Sequence, residues 1–268
     1  MSLTKCERSV LLLLMPKKLV LILIFLFSFL ILPSFVSADE TAISLSIGTG
    51  ADGSVTFSTN TNINTTNTIS GRSCADGGDA VNYSSTANTS AASTTIVLST
   101  TPSSGCFAAG DEVLIINLLG TSGNNVNVGK YETKIISSIS TATLTFTACL
   151  SNGYDGTTQK IMVQRVPNYA SVTVNTGVTV NGSVFNGTKG GVVFFRASGT
   201  VTLSGTSSIS ANALGYAGGA GAGSNTLGGY RGQSYDTTGS DTANTSVTNG
   251  NGRTVGGSTS AGSAGTRG

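Results

Sequence analysis

One short pattern occurs twice in the middle of this chain and limits its fold more than any other feature. Ser171-Val172-Thr173-Val174-Asn175 matches Thr200-Val201-Thr202-Leu203-Ser204, and Val178-Thr179-Val180-Asn181 aligns with Ser207-Ser208-Ile209-Ser210. The interval is about 29 residues, which is the range of structural repeats. Each unit alternates apolar and polar residues with the period of a strand, and it is too short to bury its apolar side alone. Stacking one unit on the next removes the difficulty, as in the coils of a parallel β-helix, where Val, Leu and Ile of one coil cover those of its neighbour. A plain meander of hairpins is the competing arrangement. Between the copies lies an apolar run, Gly190-Gly191-Val192-Val193-Phe194-Phe195-Arg196-Ala197.

Upstream, residues 100–170 read as a separate small β domain. Gly110-Asp111 forms a turn that launches Glu112-Val113-Leu114-Ile115-Ile116-Asn117-Leu118, whose unbroken apolar centre marks a buried strand. Residues 131–138, 143–148 and 160–166 give three further strands, the last two connected through the turn Asn152-Gly153-Tyr154-Asp155-Gly156. Four strands in about 60 residues indicate a small antiparallel barrel or sandwich. Residues 39–99 form a polar, repetitive segment with short β-like runs, one at 54–58 and then the Asn/Thr tract 59–68. Residues 213–268 are rich in Gly, Ser, Thr, Asn and Ala, with too few large aliphatics to offset ordering entropy as an ordinary domain. The expected fold is therefore all-β. It comprises a small antiparallel barrel or sandwich, parallel β-helix-like coils over 171–212, and a Gly-rich tail of little regular structure, which reads as truncated.

The N-terminus carries the parts of a secretory signal. Lys17 and Lys18 form a basic start, residues 19–32 are almost continuously apolar, Pro33 breaks the helix, and Val36-Ser37-Ala38 supplies small residues for cleavage. Residues 1–38 are thus expected to be a signal peptide whose true start is Met15. An uncleaved anchor is the alternative, since the run approaches the roughly 20 apolar residues that span a bilayer. On either reading the rest of the chain is exported and lies outside the cell or on its surface. The chain has 14 basic and 12 acidic side chains; without Lys5, Arg8, Lys17, Lys18 and Glu7 there remain 10 and 11, a net charge of −1. No polybasic field is left, so nucleic acid is not an expected partner, and the membrane is one only through an uncleaved N-terminal segment.

Of the four cysteines, Cys6 belongs to the leader. Cys74 and Cys106 lie in turn-like sequence and are the expected disulfide of an oxidising compartment, with Cys149 left as the odd thiol. Neither a Cys-x-x-Cys spacing nor a histidine supports zinc, and no cofactor or metal is expected. The complete lack of histidine removes a Ser-His-Asp or Cys-His hydrolase. A pair of carboxylates could still hydrolyse a glycoside. However, Asp52-Gly53, Asp76-Gly77 and Asp155-Gly156 have the sequence of turns. Asp76-Gly77-Gly78-Asp79 lacks the spacing of a calcium loop and reads the same way. Asp111-Glu112 reads as the end of a turn and the start of a strand. Lys160, Arg165 and Arg196 read as solvated positions on strand faces. Tyr216, Tyr230 and Tyr235 are spaced through the tail, where rings could stack on sugars or pack between chains, or simply be isolated aromatics.

Three stretches carry a resemblance: residues 110–118, Gln164-Arg165-Val166-Pro167-Asn168-Tyr169, and Asn186-Gly187-Thr188-Lys189-Gly190-Gly191 with the apolar run that follows. They are similar to the N-terminal module of glycine-rich, β-helix-like secreted surface proteins of bacteria, a group with no established activity. The resemblance covers roughly residues 48–232 and implies surface location and architecture only. The expected function is a non-catalytic exported surface protein, structural or adhesive, with surface glycans or other envelope proteins as partners. A secreted carbohydrate-active β-helix enzyme and a stalk presenting a further C-terminal domain are the alternatives.

Overall fold

The structure, a computed structural model, describes residues 47–217 and Tyr235. Residues 47–217 belong to one compact unit, and among them there is no helix. The chain is all-β. Two strands open it, β1 (Val55–Phe57) and β2 (Thr61–Asn62). Eight follow in the middle: β3 (Asn82–Ser85), β4 (Asn88–Thr89), β5 (Thr95–Val97), β6 (Glu112–Leu119), β7 (Tyr131–Ser140), β8 (Thr143–Phe146), β9 (Tyr154–Asp155) and β10 (Lys160–Val166). Six short ones complete it: β11 (Asn168–Tyr169), β12 (Val172–Val174), β13 (Thr179–Asn181), β14 (Arg196–Ala197), β15 (Val201–Leu203) and β16 (Ser208–Ile209).

The two sequence repeats stack as parallel coils in the register their alignment implies. Val172, Thr173 and Val174 pair with Val201, Thr202 and Leu203, and Thr179 and Val180 pair with Ser208 and Ile209. A third coil precedes both, supplied by the segment 39–99. β1 pairs in parallel with β12, Val55 to Val172 and Phe57 to Val174, and β2 pairs with β13. Each coil has three faces. The first two are built from β1, β12, β15 and from β2, β13, β16. The third is β11 on β14, extended by the bond from the Asp52 amide to the Asn168 carbonyl at 3.0 Å. Parallel pairing preserves which side a residue faces, so Val55, Val172 and Val201 form one column and Phe57, Val174 and Leu203 another. The first two members of each column are buried, whereas Val201 and Leu203, on the last described rung, are 43% and 48% exposed. Tyr169 anchors this core edge-on to Phe57 and Phe195, with ring centroids 6.2 and 5.7 Å apart.

Between the first and second coils the chain builds the antiparallel domain. Its sheet runs β3-β10-β6-β7-β8-β5. The sheet curls until its edges meet: the Ser99 amide donates to the Ser84 carbonyl at 2.8 Å, and Ser85 Oγ donates to the Val97 carbonyl at 2.7 Å. Closure removes the open edges that a six-stranded sheet would otherwise expose. Bulges at Lys160/Ile161 and between Ile136 and Ser138 supply curvature. The barrel interior holds Val113, Ile115, Ile136, Leu144, Ile161 and Val163. β6 and β10 are buried over most of their length because their outer faces lie against other parts of the chain.

Cys74 and Cys106 are joined by a disulfide with Cα atoms 4.4 Å apart, and both belong to the barrel core. Cys149 is also disulfide-bonded, which corrects its expected status as an odd thiol. The tail expectation falls almost wholly outside the described residues.

Candidate binding site

Polar side chains concentrate where the barrel meets the coils, and they divide into a sealed ion network and an open cleft. Arg165, on β10, is 2% exposed and corrects the expectation of a solvated strand face. Its guanidinium donates to Asp52 Oδ1 at 2.5 Å, to Asp111 Oδ1 at 3.3 Å and to the Asp79 carbonyl at 3.0 Å. One side chain thus ties the first coil to two barrel loops. Burial opposes the Arg165 charge, but the Asp111 and Asp52 carboxylates outweigh it and hold its pKa above the ordinary value. Asp111 also pairs with Arg72. Arg196 on the third coil is half-buried and grips Glu112 with Nε and Nη2, and Asn168 Nδ2 adds a third donor at 3.1 Å. Burial alone would raise the Glu112 carboxyl; Arg196 and Asn168 bring it below the usual carboxylate range.

The remaining carboxylates are committed in the same manner. Asp79 accepts from Thr68 Oγ1, the Thr68 amide and the Tyr169 hydroxyl. Asp76 accepts from Ser103 Oγ and amide, both at 2.6 Å, and from the Tyr83 hydroxyl at 2.6 Å; these bonds, Ser103 first, lower its pKa. Asp76 and Asp79 therefore take separate partners, and among the described residues no acid, cysteine or histidine cluster could hold a metal. Glu132 accepts from the Ser151 and Asn152 amides and the Tyr154 hydroxyl, which overcome burial and lower it. Asp155 caps a turn through Thr158 and Thr157, and those hydroxyls bring it down to about 2.

The cleft lies between the start of β3 and the loop 183–190, which leaves the second coil. It has a volume of about 190 Å³, and its walls include Asn64, Asp76, Asn82, Ser183, Asn186 and Lys189. The loop is shaped by Asn186, whose Oδ1 accepts from the Thr188 and Lys189 amides, both at 3.0 Å, and from Thr188 Oγ1 at 2.8 Å. Gly190, at φ +94° with the Val184 backbone pressed against it, turns the chain back where an L side chain would be strained. This folds Lys189 inward: its Nζ donates to the Asn82 carbonyl at 2.7 Å and sits 5.5 Å from the Tyr83 ring centroid. Burial lowers the Lys189 pKa, with Asp76 opposing. Asn64 is saturated, donating to the Ala80 carbonyl and to Gln164 Oε1 and accepting from the Ser183 amide. Asn82 is 6% exposed, yet its Nδ2 has no hydrogen-bond partner.

Sequence reasoning did not single out Asn82 or Lys189 as site residues. An asparagine in an Asn/Thr-rich chain carries no local signal, and the signal at Lys189 was the Asn-Gly-Thr-Lys-Gly-Gly turn. Of the tail tyrosines, Tyr216 donates to the Leu118 carbonyl and packs edge-on to Phe185, and the Tyr235 carbonyl accepts from the Gly120 amide at 2.7 Å. Tyr230 lies outside the described residues.

No protein family matches this chain, and neither does any curated protein. Among solved structures it is similar to three phage tailspikes. These are the tailspike protein gp49 from Pseudomonas phage LKA1 (22% identity, TM-score 0.26, 40% of this chain and 20% of that one) and the tailspike gp61 of Pseudomonas phage phi297 (17%, 0.28, 54% and 23%). The third is the Gp54 tailspike of Acinetobacter baumannii bacteriophage AP22, solved in complex with A. baumannii capsular saccharide (14%, 0.27, 50% and 25%). The chain spans a quarter or less of the length of these structures, and at this level of likeness nothing about activity transfers.

Proposed function

We propose that this chain is a non-catalytic exported surface protein, structural or adhesive, in which stacked coils and an inserted barrel form a rigid display scaffold. The observation that carries this reading is the state of the carboxylates. Each of the seven in the described residues, Asp52, Asp76, Asp79, Asp111, Glu112, Glu132 and Asp155, accepts from at least two donors. Carboxylate-based glycoside hydrolysis needs an acid kept protonated near neutral pH by an apolar or like-charged setting. Asp76, Glu112, Glu132 and Asp155 are all pushed the other way. These acids serve as struts between loops and coils. Antibody or protease access on intact cells, together with incubation of purified protein with acidic and neutral polysaccharides, tests the reading. Surface exposure without depolymerisation is expected; turnover of a polysaccharide, or retention inside the cell, refutes it.

A further inference from the structure

We propose that the cleft between Asn82 and Lys189 binds the carboxylate of an acidic saccharide. Two residues of the cleft, Lys189 and Asn82, carry donors that the protein itself does not use up. Lys189 has three N–H bonds and gives one to Asn82, which leaves two for a ligand. Asn82 Nδ2 is buried with nothing to donate to, a desolvation penalty that an accepting ligand would relieve. Both residues line the same cleft, and Lys189 Nζ lies 2.7 Å from the backbone carbonyl of Asn82. The negative wall residue, Asp76, is already saturated by Ser103 and Tyr83, so it does not compete for Lys189 through a direct bond. A half-buried ammonium in the same cleft as an unpaired amide selects an anionic acceptor, since charge-assisted bonds are about twice as strong as neutral ones.

A saccharide is favoured over other carboxylates by the rest of the wall. Thr65, Ser183 and Asn186 bring hydroxyl and amide groups to the wall and the exposed Val184 brings an apolar face, a mixture that suits a sugar ring with hydroxyl edges and C–H faces. The volume of about 190 Å³ is below the roughly 300–1,000 Å³ of drug-sized pockets and matches a single sugar residue. The saccharide origin of the carboxylate rests on the surface reading above; the donor geometry does not.

Titration calorimetry of the purified chain with trigalacturonate, its methyl ester, a neutral glucose trisaccharide and a short peptide with a free C-terminus tests the site. Trigalacturonate is expected to bind best, with N82A and K189M each weakening it at least tenfold. N82A is expected to fold with unchanged or raised stability, because it removes an unpaired buried amide, whereas a merely structural Asn82 would destabilise on truncation. Absence of trigalacturonate binding, equal binding of the ester or neutral sugar, tighter binding of the peptide, or unaltered affinity in both variants would overturn the proposal. Cleavage of trigalacturonate would instead refute the non-catalytic reading and leave the binding site standing.

Discussion

Replacing Arg165 by Met is the sharpest test of how the barrel and the coils are joined. Methionine retains most of the buried volume, so the substitution removes charge and hydrogen bonds with little cavity formation. Three acceptors lose a donor at once: Asp52, Asp111 and the Asp79 carbonyl. Removing one partner from a buried ion pair costs about 3–5 kcal/mol, because the charge left behind is uncompensated. Here the loss is cushioned, since Asp111 keeps Arg72 and Asp52 keeps the Asn168 amide at 2.7 Å. The expectation is therefore the lower end, about 3 kcal/mol. For a domain of this size that corresponds to a fall in Tm of roughly 6–12 °C, at about 2–4 °C per kcal/mol. Urea unfolding followed by circular dichroism reads it directly, as a shift in midpoint at constant slope. The cycle with D52N localises it: the double variant R165M/D52N should lose less than the sum of the two single losses, by at least about 1 kcal/mol. An R165M loss under about 1 kcal/mol, or no coupling to D52N, would refute the assignment of Arg165 as the tie between first coil and barrel.

Acid should unfold the protein through the depressed carboxylates. Their folded pKa values lie below the unfolded ones, so they stabilise fully above about pH 4, the unfolded value, and the contribution is lost as pH falls through the folded values, down to about 2 for Asp155. Thermal midpoints measured from pH 7 to pH 2 should be flat above about pH 5 and drop below it; a maximum near pH 3 would contradict this. Substituting both Cys74 and Cys106 with Ser opens a loop of separation 32, which the chain-entropy relation values at about 3.7 kcal/mol; a loss below about 1 kcal/mol by urea unfolding would show that this loop is already constrained. Gly105→Ala should cost at least as much as an ordinary strained glycine replacement, more than about 1 kcal/mol, because φ is +80° and the added Cβ would meet the Ser73 carbonyl beside the disulfide. Refolding of reduced G105A with slower disulfide recovery than the unsubstituted chain would confirm where the strain falls.

Much of this architecture is written in local periodicity. The strand expected from 112 to 118 is found as β6, Glu112–Leu119, and the one at 160–166 is β10, because a continuous apolar run bounded by Gly and Asn turns leaves few alternatives. The repeat at 171–175 and 200–204 gave the coil register directly, since stacked coils must align like with like. The first coil was harder to see. Val55-Thr56-Phe57-Ser58 carries the same Val-Thr-apolar-polar pattern as the two later copies, but it stands inside a polar tract and far from them. Arg165 departs from its expected solvated position for a different reason. Nothing in its own strand pairs with it, and the approach of Asp52, Asp111 and the Asp79 carbonyl, between 54 and 113 residues away, makes burial of a guanidinium tolerable. The cleft is similarly non-local: Asn82 and Lys189 are 107 residues apart, and each is unremarkable in its own neighbourhood.

The position of the barrel within the coil stack also sets an order of assembly. β1 and β12 are 117 residues apart, as are Ser54 and Ser171 in the same ladder, so their pairing closes a very long loop. Loop-closure entropy scales as (3/2)RT ln n. Once the barrel has formed, the unstructured part of that loop shrinks to roughly 30 residues, which lowers the closure cost by about 1.2 kcal/mol. The barrel, with its antiparallel neighbours and internal disulfide, is therefore the part that can form first, and the first coil must wait for it. Until then β1 is an unpaired strand edge carrying Val55 and Phe57, and any delay in barrel closure lengthens the time during which that edge can pair with a second chain.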